Sequence, residues 1–218
     1  MTIAGSSLKR LTLSWQARVA VLGSLMVLIA PACGSVPKTH FYTLQAPATP
    51  APSDPRTTYV LGVERFRSPA ILGDDRLVYY VSPTQVNYYQ YHRWGSTPGL
   101  LLAEFTAQWL ESSGVFTQVK MLPVREAVDY TLSGKVASFE EVDSEGGARV
   151  RLALALTLVR TRDHKMVWSD QRRQETPVSE PGVEGVANAL NASSVQALRD
   201  MIPGLLAQVE QDFEGTVK

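Results

Sequence analysis

Residues 149–160, RVRLALALTLVR, constrain this chain more than any other stretch, because Val150, Leu152, Leu154, Leu156 and Leu158 alternate with smaller or polar residues. Successive side chains of a strand point to opposite faces, so this pattern dictates a β-strand with one wholly apolar side. Such a side must be covered by another layer. Upstream, Ser144-Glu145-Gly146-Gly147 supplies turn residues, and before them Tyr130, Leu132 and Val136 fall on one face of another strand. Downstream, a turn at 161–164 leads into a strand through Val167 and Trp168. The three strands form an antiparallel meander with the leucine-rich one in the centre.

The covering layer is legible in two helical patterns. Thr97-Pro98 reads as an N-cap with proline at the first helical position, Leu102, Phe105 and Trp109 share one face, and Gly114 stops the helix. From about 183 to 213, Val186, Leu190, Leu198, Ile202, Leu205 and Val209 recur at helical spacing, while Pro203 removes one hydrogen bond and implies a kinked or two-part helix. Residues 58–66 (TYVLGVERF) and 115–122 read as further strands, and 77–81 with 85–91 flank Ser82-Pro83-Thr84 as a hairpin. The expected fold is α+β: a mixed, largely antiparallel sheet with two helices packed on one face, the first helix lodged between strands. No internal repeat is evident.

The N-terminal segment has a different logic. Lys9, Arg10 and Arg18 precede the uncharged run 19–30, which is the order of an export signal. That run is shorter than the twenty or so residues needed to span a bilayer. Directly after it stands Ala30-Pro31-Ala32-Cys33, which resembles a bacterial lipobox, with Ala30 where the pattern usually has Leu; the chain's one cysteine falls where lipidation needs it. Ordinary signal cleavage with an incidental cysteine is the alternative. No intramolecular disulfide or cysteine-based zinc site can form from one cysteine. Residues 45–55 (QAPATPAPSDP) favour extended polyproline II, either as a spacer or as a loop lying along the domain. The organisation expected is a signal over 1–32, a lipidated tether over 33–57, and a single domain over 58–218.

Little in the chain points to catalysis. Lys plus Arg and Asp plus Glu both number 21, so no overall field draws the protein to nucleic acid. His40, His92 and His164 are scattered without metal-ligand spacing, and GxSxG, P-loop and GxGxxG motifs are missing. The expectation is a non-enzyme with no cofactor or metal. The acidic run Glu140, Glu141, Asp143 and Glu145 lacks the order of a calcium loop and reads as a solvated turn. Arg172-Arg173 reads as a strand edge or as a contact for a lipid headgroup. The densest cluster is 87–94 (NYYQYHRW), from which Tyr89, Tyr91, Arg93 and Trp94 are candidate partner contacts, because Tyr, Trp and Arg dominate binding hot spots. Alternation of core tyrosines, with Trp94 over the following helix, accounts for the same residues structurally.

Taken in order, Cys33, Phe41-Tyr42-Thr43-Leu44, His92-Arg93-Trp94 before the helix with Leu101, Leu102 and Phe105, then Ala127-Val128-Asp129-Tyr130, Phe139 and Val167-Trp168 resemble the auxiliary lipoproteins of ABC-type transport systems, the paraquat-inducible protein C-like group. The resemblance implies a covalent lipid on Cys33. Gly34 rather than Asp after that cysteine implies the periplasmic face of the outer membrane. It also implies an accessory subunit docking on a periplasmic MCE-domain protein in lipid transport that supports envelope integrity; a homo-oligomer is compatible with it. The competing reading is an independent lipid carrier, with the small Ala153 and Ala155 leaving room for a ligand between sheet and helices. An envelope hydrolase is a third reading.

Overall fold

The computed structural model describes residues 37–46, 54–144 and 146–217. The export segment, Cys33, most of the Pro/Ala-rich stretch and Glu145 lie outside the described residues. One compact unit begins at Lys38, before the expected boundary at 58. The difference is a short strand, β1 (His40–Tyr42), which joins the sheet ahead of the Pro/Ala-rich stretch. That stretch therefore connects two paired strands.

The remaining strands are β2 (Val60–Val63), β3 (Arg76–Ser82), β4 (Gln85–Trp94), β5 (Gln118–Met121), β6 (Tyr130–Val142), β7 (Arg149–Arg160) and β8 (Lys165–Pro177). Two α-helices accompany them, α1 (Pro98–Ser112) and α2 (Gly182–Val217). The sheet is mixed and largely antiparallel, and the fold is α+β, as expected. β6, β7 and β8 form the antiparallel meander, with Leu152, Leu154, Leu156 and Leu158 all buried. The other edge of β6 is shared: β2 pairs in parallel with its beginning and β3 with its end.

Between those two pairings Gly134 is essential. A Cβ there would lie 2.5 Å from the ring of Phe66, so only glycine lets that ring into the core. Arg67 N–H then donates to Gly134 O, and Val136 N–H to Arg67 O, fastening the chain after β2 to the middle of β6.

Helix α1 begins at Thr97-Pro98, but the Thr97 hydroxyl accepts from Arg65 Nη2 (2.7 Å) rather than capping its own helix. Its end follows expectation: Gly114, at φ +64°, takes the left-handed conformation that follows a helix terminus. Leu101, Leu102, Phe105 and Leu110 of α1 and Val186, Leu190, Leu198, Ile202, Leu205 and Val209 of α2 all enter the core. Contrary to the two-part expectation, α2 runs unbroken through Pro203. Pro203 is exposed, and the Arg199 carbonyl that loses its donor also belongs to an exposed residue, so water can replace the missing bond. No helix among the described residues is long and apolar enough to cross a membrane.

Candidate docking surfaces

The sequence-predicted aromatic cluster sits on β4, and the structure divides it. Val78 pairs with Tyr88 whereas Arg76 pairs with Arg93, so residues 89–92 bulge opposite Leu77 alone and simple alternation fails. Trp94 is 1% exposed, packs on Phe139 and Tyr42, and belongs to the same buried cluster as Leu101, Leu102 and Phe105 of the following helix. This removes Trp94 from the contact set, because a buried indole offers no surface to a partner. Arg93 is half-buried and gives Nη1 to Asp75 Oδ1 at 2.5 Å, while Trp94 N–H donates to Asp75 O. Tyr89 packs at a tilt against Tyr79, donates its hydroxyl to Glu141 Oε2 (2.7 Å), and has its pKa raised by burial and by that carboxylate. Tyr91 is half-buried and Gln90 exposed.

This edge also holds a feature that short-range sequence reasoning missed. The parallel β1–β4 register sets His40 against His92, their rings stacked nearly parallel with centroids 5.1 Å apart, and the Tyr42 hydroxyl meets His92 Nδ1 at 2.8 Å. Burial and the neighbouring His40 lower the His92 pKa. No group of three potential ligands gathers around these rings or elsewhere among the described residues. Phe41, 67% exposed, stands on the same short strand.

The second surface is the side of β6, β7 and β8 turned away from the helices. Strand alternation puts Arg151, Ala153, Ala155 and Thr157 there, because the intervening leucines face α2. The room expected at Ala153 and Ala155 for a ligand between sheet and helices is therefore on the wrong face; between the layers stand leucines instead. Across the strands Ala153 lies between Ser138 and Arg173, and Ala155 between Lys135 and Gln171. The register slips between Val136 and Ser138, which turns Ala137 outward as well. Adjoining recesses of about 440 Å³ and 550 Å³ open on this face and share Ala137.

The acidic run does not act as a unit. Glu140 is 5% exposed, accepts from Phe139 N–H, and has Arg151 Nη1 at 3.9 Å from its carboxylate; burial raises its pKa. Asp143 is exposed in the turn. Arg172 and Arg173 also part company, since Arg172 pairs with Asp170 whereas Arg173 is exposed on the alanine side.

Comparison with known proteins follows the architecture. A family model described as ABC-type transport auxiliary lipoprotein component matches residues 42–202, from the last residue of β1 to the middle of α2. The chain belongs to that family. Membership makes it a relative of lipoproteins that assist ABC-type transport in the cell envelope, and it accords with the lack of a phosphate-binding loop. Among solved structures, a Xanthomonas campestris protein is 22% identical with a TM-score of 0.67, covering 79% of this chain and 98% of that one. An uncharacterized protein is 15% identical with a TM-score of 0.55, covering 81% and 99%. At these identities the likeness establishes the shared fold alone. No curated protein sequence matches.

Proposed function

We propose that this auxiliary lipoprotein is held by a lipid on Cys33 at the periplasmic face of the outer membrane and serves, without catalysis, an ABC system whose periplasmic component is an MCE-domain protein. The family match over 42–202 carries the transport part of the reading. The single cysteine directly after an export signal, followed by Gly34, supports the anchor and its membrane. Several acyl chains would hold the protein firmly, because one chain alone anchors poorly at about 0.8 kcal/mol per buried methylene. Tyr89, Tyr91 and Arg93, all half-buried on β4, are the contact residues retained from the sequence.

The test is affinity purification of the tagged, lipidated protein from mildly solubilised envelopes, followed by mass spectrometry. An MCE-domain protein should co-purify, and less of it with Arg93→Ala. Recovery of this protein alone under crosslinking, with stoichiometric bound lipid, would replace the adaptor by an independent carrier. Cys33→Ala should release the protein to the soluble periplasm or leave it uncleaved; normal processing with unchanged membrane retention would end the anchoring assignment.

A further inference from the structure

We propose that the alanine-floored face of β6, β7 and β8 is a docking surface for a carboxylate-bearing α-helix of a partner protein. Three observations lead there, and none depends on the transporter assignment.

The first is charge. Arg67, Lys135, Arg149, Arg151 and Arg173 project on this face, against the carboxylates of Glu140, Glu175 and Glu64, which follows core-facing Val63. Glu140 and Glu175 are already engaged. Glu175 accepts from Arg151 Nε at 3.0 Å and lies 3.9 Å from Arg149, and Glu140 is buried against Phe139 N–H and Arg151. Among the described residues, Arg67, Lys135 and Arg173 pair with no carboxylate, although the whole chain is neutral. A local excess of this kind on a neutral protein favours an anionic occupant.

The second is shape. Ala137, Ala153 and Ala155 leave a low floor, with Arg67 and Lys135 on one side and Arg173 on the other. Lys135 on β6 and Arg173 on β8 are two strand spacings apart, about 10 Å, which is close to the 10–12 Å diameter of a helix with its side chains. A helix lying in this trough would set acidic residues at i, i+3 and i+4 against both rims. A flat bilayer would meet the rim and leave the floor empty. A single lipid would find headgroup contacts but no enclosed slot for its chains, since the recesses are open to solvent.

The third is the state of the floor. Both helices of this chain lie on the other face; on this one Ala137 is exposed and Ala155 half-buried, while Ala153, 8% exposed, is screened by the longer side chains around it. Small residues on an exposed strand face contribute little to sheet stability, and their use here is explained by close approach of another element.

The experiment uses the full-length lipid-anchored protein in living cells, with a photoreactive phenylalanine derivative at Gln171, exposed beside the floor. Mapped adducts should fall on a partner helix bearing Asp or Glu at i, i+3 or i+4 spacing. Joint Lys135→Glu and Arg173→Glu should reduce the adduct by about tenfold or more, with Lys135→Gln and Arg173→Gln intermediate. Reversal at Arg125, on the β5–β6 connection, should leave the yield unchanged. Circular dichroism confirms that each variant is folded. Adducts to lipid, to this chain or a second copy of it, or to a segment without carboxylates would overturn the proposal, as would no adduct or one insensitive to charge reversal. Binding of phosphatidylglycerol vesicles through the same two residues would also overturn it. If no acidic-helix adduct forms at Gln171 while an MCE-domain protein still co-purifies, this surface fails and the transporter reading stands. If the crosslinked partner is an acidic helix from outside any ABC system, the converse holds.

Discussion

Replacing Gly134 by Ala sets two opposed effects against each other, and the structure says which is larger. An alanine gains about 0.5–1 kcal/mol over glycine within a regular element, because less conformational freedom is lost on folding. The new Cβ, however, would lie 2.5 Å from Cγ and Cδ1 of Phe66, whereas carbon atoms rest at about 3.5–4.0 Å. The ring must retreat by about 1 Å. Phe66 is 2% exposed, and its backbone is pinned on both sides: Phe66 N–H donates to Gly99 O and Arg67 N–H to Gly134 O. Overpacking of such a site costs about 1–3 kcal/mol. Gly134→Ala should therefore destabilise by about 0.5–2 kcal/mol net, a fall in Tm of roughly 1–8 °C for a domain of this size. Urea and thermal unfolding of residues 38–218, followed by the fluorescence of Trp94, Trp109 and Trp168 together, measures it. Phe66→Leu in the same chain should recover part of the loss, giving a coupling of about 1 kcal/mol in a double-mutant cycle. An unchanged or higher Tm for Gly134→Ala, or additive single and double variants, would refute the claim that this contact sets the residue.

Three further outcomes follow from partly buried polar groups. Burial holds Glu140 above its ordinary pKa of 4.5, so the native chain keeps its proton to higher pH than the unfolded chain; stability should fall as pH rises from about 4.5 through the raised native value, and Glu140→Gln should flatten that slope in urea titrations. His92 is held below its ordinary 6.5, so the unfolded chain takes up the proton first and stability should fall as pH drops below about 6.5. His40→Ala, by removing the stacked neighbour, should weaken that acid dependence in unfolding midpoints compared at pH 7.5 and 5.5. Asp212 accepts from the Tyr130 hydroxyl at 2.9 Å and from Arg160 Nη1 at 2.7 Å, clamping α2 to β6 and β7; Asp212→Ala should cost about 1.5–3 kcal/mol by chemical unfolding.

By itself the sequence determined whatever depends on period and local chemistry. The strict alternation from Val150 to Leu158 forced a strand with a single apolar face, the spacing of Leu102 and Phe105 forced a helix, and Gly114 could close it because its left-handed φ suits glycine. The proposed leader and lipidated Cys33 rest on the same kind of local signal, a charged, apolar and small-residue order, and lie outside the described residues. Only the tertiary structure decided what depends on register. β1 joins the sheet through three residues, too short for a periodic signal, so its place in the compact unit and the His40–His92 stack emerged only from pairing with β4. The β4 bulge scattered tyrosines that alternation would have aligned, and buried Trp94, which composition marked as a contact. Ala153 and Ala155 were visible as small residues, but whether they faced the helices or the open side depended on which neighbours the leucines met. Arg67, Lys135 and Arg173 lie far apart in the chain and become one cationic rim only when β6 is set between the segment after β2 and the edge formed by β7 and β8. Local periodicity fixes which face a side chain takes within its own strand; the partner strands, chosen by the whole core, fix what stands beside it.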